Sequence, residues 1–294
     1  MLISLPKVRG VYRYNVSMSK MTWLSVGGQV DVLFKPSDIE DLTCLIKNTE
    51  LPISVIGATS NIIVRDSGIR GITVKLGKEF AYIEYKGNNT IVAGGAALLS
   101  NLAYFAGNQQ ISGLEFLAGI PGTVGGAIEM NAGAYGSDIG SVVQSIKAVN
   151  LHDGNLYEFL SEEMSYFYRG HSLKGSWIFV EAEFKGASSE PELIAQKMKE
   201  IIHKKNKSQP IAGKTAGCIF KNPKDYQAWE LIDQSGCREL GIGGAKISEK
   251  HCNFLLNHNN ATASDLENLG NKIQEIVKNK FNVELEWEIR VLGS

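Results

Sequence analysis

The chain has 294 residues, a net charge of −1 and 44% hydrophobic content, with a pI of about 6.5. That length suits two or three compact units, and the balanced charge offers no global basic field to nucleic acid or an anionic membrane. No apolar run approaches the ~20 residues of a membrane span. The start, MLISLPKVRGVYRYNVSMSK, lacks a signal peptide's apolar core, so a cytoplasmic protein is expected. Cys44, Cys218, Cys237 and Cys252 show no CxxC spacing and the histidines do not cluster, which disfavours a zinc site or a disulfide framework.

In chain order, Val30–Lys35 reads as a short apolar strand ended by Pro36. Ser37 and Glu40 then have capping-box spacing ahead of a helix with one apolar face (Leu42, Leu45, Ile46). The strands ISVIG and NIIVRD flank a polar turn, Gly57-Ala58-Thr59-Ser60-Asn61, and strand–helix–strand order implies parallel pairing. From residue 78 the pattern changes. AYIEYKGNNTIVAGG reads as a hairpin, SIKAVNLHDGNLYEFL as a second turning at Asp153-Gly154, and SWIFVEAEF as a further strand. A helix near Leu98–Ala106 lies between the hairpins. After the break at Lys185–Ser188, Ser189 and Glu192 cap a helix whose expected buried face is Leu193, Ile194, Met198, Ile201 and Ile202. A helix around Ala228–Gln234, the strand HCNFLLN, a helix capped by Ser264 and Glu267, and the strand VELEWEIRVL complete the chain. The fold class is α/β plus α+β: a small parallel α/β unit over 1–77, a mainly antiparallel α+β unit over 78–187, and a C-terminal α/β unit over 188–294.

The most unusual stretch is Ser112–Gly136, with glycine at 113, 119, 122, 125, 126, 133 and 136 and hardly a charge. Glycine alone reaches positive φ cheaply and adds no Cβ to a crowded contact. Gly119-Ile120-Pro121-Gly122-Thr123-Val124-Gly125-Gly126 reads as a stiff loop whose free N–H groups form a concave anion site suited to phosphate. A tight buried turn beside a glycine-packed helix accounts for the same residues, and composition leaves both open. The GATSN turn supplies a possible second side to the cradle. Gly213-Lys214-Thr215 is not a phosphate loop, because Ser208 stands where that motif needs glycine and Gln209-Pro210 replace its strand. No GxGxxG follows a strand either, which disfavours a Rossmann site.

Three further residues stand out. Arg169, in Tyr166-Phe167-Tyr168-Arg169-Gly170, is costly among aromatics unless paired or stacked; a structural ion pair explains it as well. Cys218, beside Ile219-Phe220, reads equally as a small core residue. Glu288 and Glu286 share one strand face, opposite Leu285, Trp287 and Ile289. Nothing in composition or spacing joins these three to one site.

The ordered set TWLSVGG (22–28), GATSNIIVRD (57–66), GLEFLAGIPGTVGGAIEMNAGAYG (113–136), FYRGHSL (167–173), GCIFKNP (217–223), ISEKHCNFLLN (247–257) and LEWEIRVLG (285–293) resembles the UDP-N-acetylenolpyruvoylglucosamine reductase family across nearly the whole chain. The resemblance implies a two-part FAD-binding module of the vanillyl-alcohol-oxidase type, over 1–77 and 78–187, followed by a substrate-binding domain over 188–294. It implies that Gly57, Ala58, Thr59, Ser60 and Asn61, with Gly119, Pro121, Gly122, Thr123, Gly125 and Gly126, grip the FAD pyrophosphate. Asn131, Ala132 and Gly133 would lie along the flavin. It implies that NADPH gives hydride to flavin N5 and that UDP-N-acetylglucosamine enolpyruvate then takes its place in the same cleft. Hydride goes to the methylene carbon and a proton to its neighbour, yielding UDP-N-acetylmuramate. Arg169 matches the arginine facing the developing enolate, and Glu288 the glutamate that steadies the protonated enolic intermediate. Position 218 matches the proton donor, and Tyr168, Asn222 and His251 would line the substrate pocket. The family also implies a monomer. Among other readings, a different oxidoreductase on the same flavin fold would lack the Arg169, Cys218 and Glu288 set. A non-catalytic flavin or UDP-sugar sensor would not be bleached by NADPH.

This chain departs from the family pattern twice. Cys218 stands where serine is usual; a thiol with pKa ~8.5 remains mostly protonated at neutral pH and is a much stronger acid than an alcohol, so it is expected to serve as donor. Thr59 stands where glycine is usual, and a β-branched residue resists positive φ. Either the turn avoids that region or FAD is held less tightly.

Overall fold

The computed structural model describes residues 5–210 and 213–294. They fall into two compact units that interleave along the chain. The first takes the chain up to Arg13, Leu33–Ala58 and Gly71–Lys205; the second takes Tyr14–Val32, Thr59–Arg70 and Asn206–Ser294. Parallel and antiparallel pairing both occur, so the mixed class expected from the element order is what the chain adopts.

The first unit is built on a five-stranded antiparallel sheet in the order Leu156–Leu160, Val143–Asn150, Trp177–Lys185, Thr90–Gly94, Ile83–Gly87. Both hairpins predicted from the sequence are present. Asn88 and Asn89 turn the first with φ of 49° and 58°, a conformation asparagine tolerates and most residues avoid. Alternation along Trp177–Lys185 sends Ile178, Val180, Ala182 and Phe184 to buried positions. Phe184, fully buried, contributes roughly 2 kcal/mol of apolar transfer energy. Against this core pack the helices Leu99–Asn108 and Val124–Glu129, together with Ile194, Met198 and Ile201 of the helix Pro191–Ser208. Leu193, expected on that buried face, is 60% exposed.

The same unit holds the parallel pair Ile53–Val55 with Ile72–Val74 and the helix Ile39–Lys47. That helix is capped by Asp38, whose carboxylate accepts from Asp41 N–H at 2.9 Å, one residue later than the Ser37 cap the spacing suggests. The cause is Asp41 itself. Its buried carboxylate accepts the N–H groups of Arg9, Gly10 and Ser37 at 2.6, 2.8 and 3.0 Å, so the chain around Ser37 is already committed.

The second unit has a three-stranded antiparallel sheet, Gly241–Ile242, Ala245–Ile247 and Leu255–Asn257. Its helices are Ala228–Gln234 and Ala263–Phe281, and Ile62–Val64 pairs in parallel with Arg290–Leu292. Leu24, Ile63, Phe220, Leu231, Leu266 and Ile273 belong to its core. The long helix starts earlier than Ser264 and Glu267 suggest: Thr262 caps it in a reciprocal box with Asp265. Ser264 instead bonds Asp66, and Glu267 pairs with Arg65 at 2.9 Å. Among the described residues no helix is long and apolar enough to cross a membrane.

Candidate active site

In the first unit the two glycine-rich segments meet. A Cβ on Gly57 would lie 2.7 Å from Thr123 Oγ1, so only glycine lets the two turns approach this closely. Thr123 caps the six-residue helix Val124–Glu129 and accepts from Gly126 N–H at 3.4 Å. Gly125 sits where a Cβ would meet the carbonyl oxygens of Phe179 at 2.8 Å and Gly95 at 3.2 Å. The run expected as a loop through Gly126 is therefore helical from Val124, and its N–H groups are not all free. Val124 donates to Ala97 and Gly125 to Gly95, both at 2.9 Å, because the segment is stitched onto the sheet. Gly122 and Thr123 keep N–H groups without an acceptor among the described residues. Gly119 approaches the Tyr135 ring, where a Cβ would stand 2.7 Å away, and Pro121 holds the turn between. On the far side of Gly57, its carbonyl accepts from the Lys75 ammonium.

Asn131 is buried with φ of 43°. Its amide donates to Phe167 O at 3.0 Å and Asp138 at 3.2 Å, and its oxygen accepts from Gly140 N–H at 2.9 Å. The side chain thus fixes the surrounding loops, while the backbone of Ala132 is tied to Ala127 and Ile139 and Gly133 pairs with Asp138. Phe167 and Gly170 exchange both backbone hydrogen bonds, at 3.0 and 3.1 Å, closing a tight turn that drives Arg169 to φ of 61°. Such backbone costs a non-glycine residue about 1 kcal/mol or more and is a feature of functional turns. The guanidinium stacks 5.1 Å from the centre of the exposed Tyr168 ring. A Cβ on Gly133 would lie 3.3 Å from it, so Arg169 and the Asn131–Gly133 backbone are neighbours.

In the second unit, Cys218 and Glu288 lie on facing extended segments. Glu288 N–H donates to Ile219 O at 2.7 Å, and Phe220 bridges Trp287. Both residues are half-buried. Asn61, last residue of the GATSN turn, donates from its amide to Glu288 O at 3.0 Å and accepts Arg290 N–H at 3.1 Å. Thr59 does enter the left-handed region, with φ of 58°. It is 5% exposed, its hydroxyl donates to Met21 O at 2.6 Å, and its carbonyl accepts Trp23 N–H at 3.4 Å. Ser60 beside it is buried too.

Asn222 caps the Ala228–Gln234 helix, accepting Ala228 N–H and donating to Gln227, both at 3.0 Å. That helix carries Trp229, 6.4 Å from the His251 ring, which also packs 4.8 Å from Phe254. Burial pushes the His251 imidazole below its ordinary pKa, and its Nδ1 accepts Asn253 N–H at 3.2 Å. The strand expected from His251 onward begins only at Leu255, because the turn His251–Phe254 is closed by its own hydrogen bond (3.0 Å) and by Ser248. Asn253 is a positioning residue that sequence reasoning missed. Fully buried, its side chain takes both backbone groups of Phe220, at 3.0 and 2.8 Å, and so fixes the segment carrying Cys218. A carboxamide inside the apolar run HCNFLLN was the available signal.

Glycine walls with no room for Cβ, unpaired N–H groups at Gly122–Thr123 and a lysine behind Gly57 suit a dinucleotide's pyrophosphate. The chain is an FAD-binding oxidoreductase: residues 30–159 match the family model of the FAD binding domain, and residues 209–292 that of the UDP-N-acetylenolpyruvoylglucosamine reductase C-terminal domain. It is 84% identical over its whole length to the full UDP-N-acetylenolpyruvoylglucosamine reductase of Wolbachia sp. subsp. Drosophila simulans (strain wRi). It is 57% identical to that of Anaplasma marginale (strain St. Maries), covering 99% of this chain and 96% of the other. The crystal structure of the reductase from Thermus caldophilus superposes with a TM-score of 0.84 at 32% identity, over 98% of this chain and all of the other. The chain belongs to the UDP-N-acetylenolpyruvoylglucosamine reductase family.

Proposed function

We propose that this protein reduces UDP-N-acetylglucosamine enolpyruvate to UDP-N-acetylmuramate, with NADPH as reductant, in the cytoplasmic synthesis of peptidoglycan precursors. It acts as a monomer, without nucleic acid or membrane. In this reading 1–77 and 78–187 carry the cofactor and 188–294 the substrate. The observation that carries it is that the segments bearing Cys218 and Glu288 are joined at Ile219, whose carbonyl accepts Glu288 N–H, with Asn61 of the cofactor turn bound to the Glu288 backbone.

Gly57–Asn61 and Gly119–Gly126 would hold the FAD pyrophosphate, and Asn131–Gly133 would flank its ring. FAD, when bound, would supply the hydride-transfer chemistry that links NADPH to the substrate's methylene carbon. The chain's own residues manage charge and protons. The Arg169 guanidinium, always cationic, opposes the negative charge that builds on the substrate's enolate and carboxylate. The Cys218 thiol gives its proton to the carbon next to the methylene. Glu288 hydrogen-bonds the protonated enolic species. Tyr168, Asn222 and His251 line the substrate's path, and a neutral imidazole at 251 adds a hydrogen-bonding group without adding charge.

Stopped-flow absorbance tests this. NADPH should bleach the flavin and the enolpyruvyl sugar nucleotide should restore it. Cys218→Ser should retain substantial turnover, while Cys218→Ala keeps the bleaching but loses reoxidation by about 100-fold or more. Reoxidation of Cys218→Ala at the parent rate would remove Cys218 as the donor.

A further inference from the structure

We infer that Lys75 is a cofactor-binding residue whose ammonium neutralises the pyrophosphate held at the Gly57 and Gly122–Thr123 turns. The inference rests on the FAD reading of those turns and adds to it a charge that the glycine motifs do not contain. Lys75 leaves the end of the Ile69–Val74 strand, its backbone N–H tied to Phe34 O at 2.9 Å. Its side chain is half-buried and reaches the carbonyl of Gly57. Gly57 is the residue whose other side is covered by Thr123 Oγ1. The ammonium is therefore bonded to the residue at which the two turns approach each other.

Lys75 is out of electrostatic balance. Among the described residues no carboxylate lies within ion-pair distance of it, and the Gly57 carbonyl is its one hydrogen-bond partner. Burial works against its charge, and the cation of Lys35 adds to the penalty. An ammonium has three donors, so two remain to be used. A neutral donor would satisfy one carbonyl without the desolvation cost, and surface lysines avoid that cost by reaching water. A cation kept in a site that disfavours it, bonded to the very glycine that packs on the turn with unpaired N–H groups, is what an anion-binding site looks like before the anion arrives. The dianionic pyrophosphate of FAD supplies the missing countercharge, and charge-assisted hydrogen bonds to phosphate oxygens are among the stronger ones in proteins.

The test compares parent and Lys75→Met proteins, each stripped of FAD and titrated back by flavin fluorescence, with thermal melts of both apoproteins. The expected result is FAD affinity lowered about 10- to 100-fold in Lys75→Met, with an apoprotein melting no lower than the parent's. Lys75→Arg should recover most of the affinity, and inorganic pyrophosphate should raise the melting temperature of the parent apoprotein but not of Lys75→Met. Equal FAD affinity in parent and Lys75→Met would overturn the inference. So would an apoprotein destabilised as much as the holoprotein, which would make Lys75 a structural tie to Gly57. Should Lys75→Met not fold, acetylation of Lys75 in the parent decides: FAD should slow it, and equal labelling with and without FAD would overturn the inference. A parent apoprotein that fails to bind FAD at all would instead overturn the cofactor reading itself.

Discussion

The two glycine-rich turns solve different problems. In Gly119–Gly126 no glycine has positive φ; Gly125 and Gly119 are there because backbone or a ring lies where a Cβ would go, Phe179 O against Gly125 and Tyr135 against Gly119, whereas a Cβ on Gly126 would make only ordinary contact with Thr123 Oγ1 at 3.5 Å. In Gly57–Asn61 the left-handed position is real but is occupied by Thr59, which is β-branched. Glycine at 119 and 125 therefore marks close approach, while left-handed backbone falls to Asn131 and Arg169 in the first unit and to Thr59 in the second, each held by specific hydrogen bonds or stacking.

Substitutions at the two turns should separate these roles. Gly125→Val forces a branched side chain against two main-chain carbonyls that cannot rotate away, so it should cost about 3 kcal/mol or more. A denaturant midpoint on apoprotein would show this, and a parent-like midpoint would break the close-approach account. At Thr59 the effects are smaller, and a lost hydrogen bond and relieved strain oppose each other. Thr59→Val keeps the strain but leaves Met21 O without its donor, a loss of about 1–3 kcal/mol. Thr59→Gly loses the same bond yet relieves about 1 kcal/mol of left-handed strain, so its urea midpoint should lie between Val and parent. Thr59→Gly melting below Thr59→Val would show that left-handed strain at this position contributes nothing, and a parent-like Thr59→Val would show the same of the hydroxyl.

The smallest effect is expected at His251, in the second unit. Its folded pKa is depressed by burial, so the unfolded chain takes up this proton first as pH falls through about 6.5. The stability contributed by the neutral ring is complete above that pH and is lost as pH drops toward the folded pKa. Between pH 7.5 and 5 the parent should lose about 1–2 °C more than His251→Gln, partial solvent access keeping the difference small. Parallel melting curves would show the ring titrating normally.

Much of the fold is legible because it is local. Asn88-Asn89 and Asp153-Gly154 announce their hairpins through turn chemistry alone, whereas simple alternation fails within Trp177–Lys185, where Ile178, Phe179 and Val180 are buried in succession. The helix starts are less so. Ser37 and Ser264 both look like caps, yet Asp38 and Thr262 do the capping, because Asp41 and Asp66 recruit backbone and side chains 31 to 198 residues distant. The Thr262–Asp265 and Asp38–Asp41 spacings are themselves local; what no local pattern carries is the distant recruitment that decides between them and the serines. Leu193 shows the same limit, since a helix has more apolar residues than the core has room for. In the site, Cys218 and Glu288 become neighbours only through the pairing at Ile219, invisible to spacing and reached at sequence level through family likeness. Lys75 carries no sequence signal, because a lysine ending a strand ordinarily faces water.

The side-chain amide of Asn61, clasping the carbonyl of residue 288, turns the polar turn and the carboxylate-bearing segment into one mechanical part. Whatever bends the former carries the latter along. A cut at Asn61 would blur the aim of Glu288 as well as slacken the turn, so damage there should register in chemistry and in affinity together.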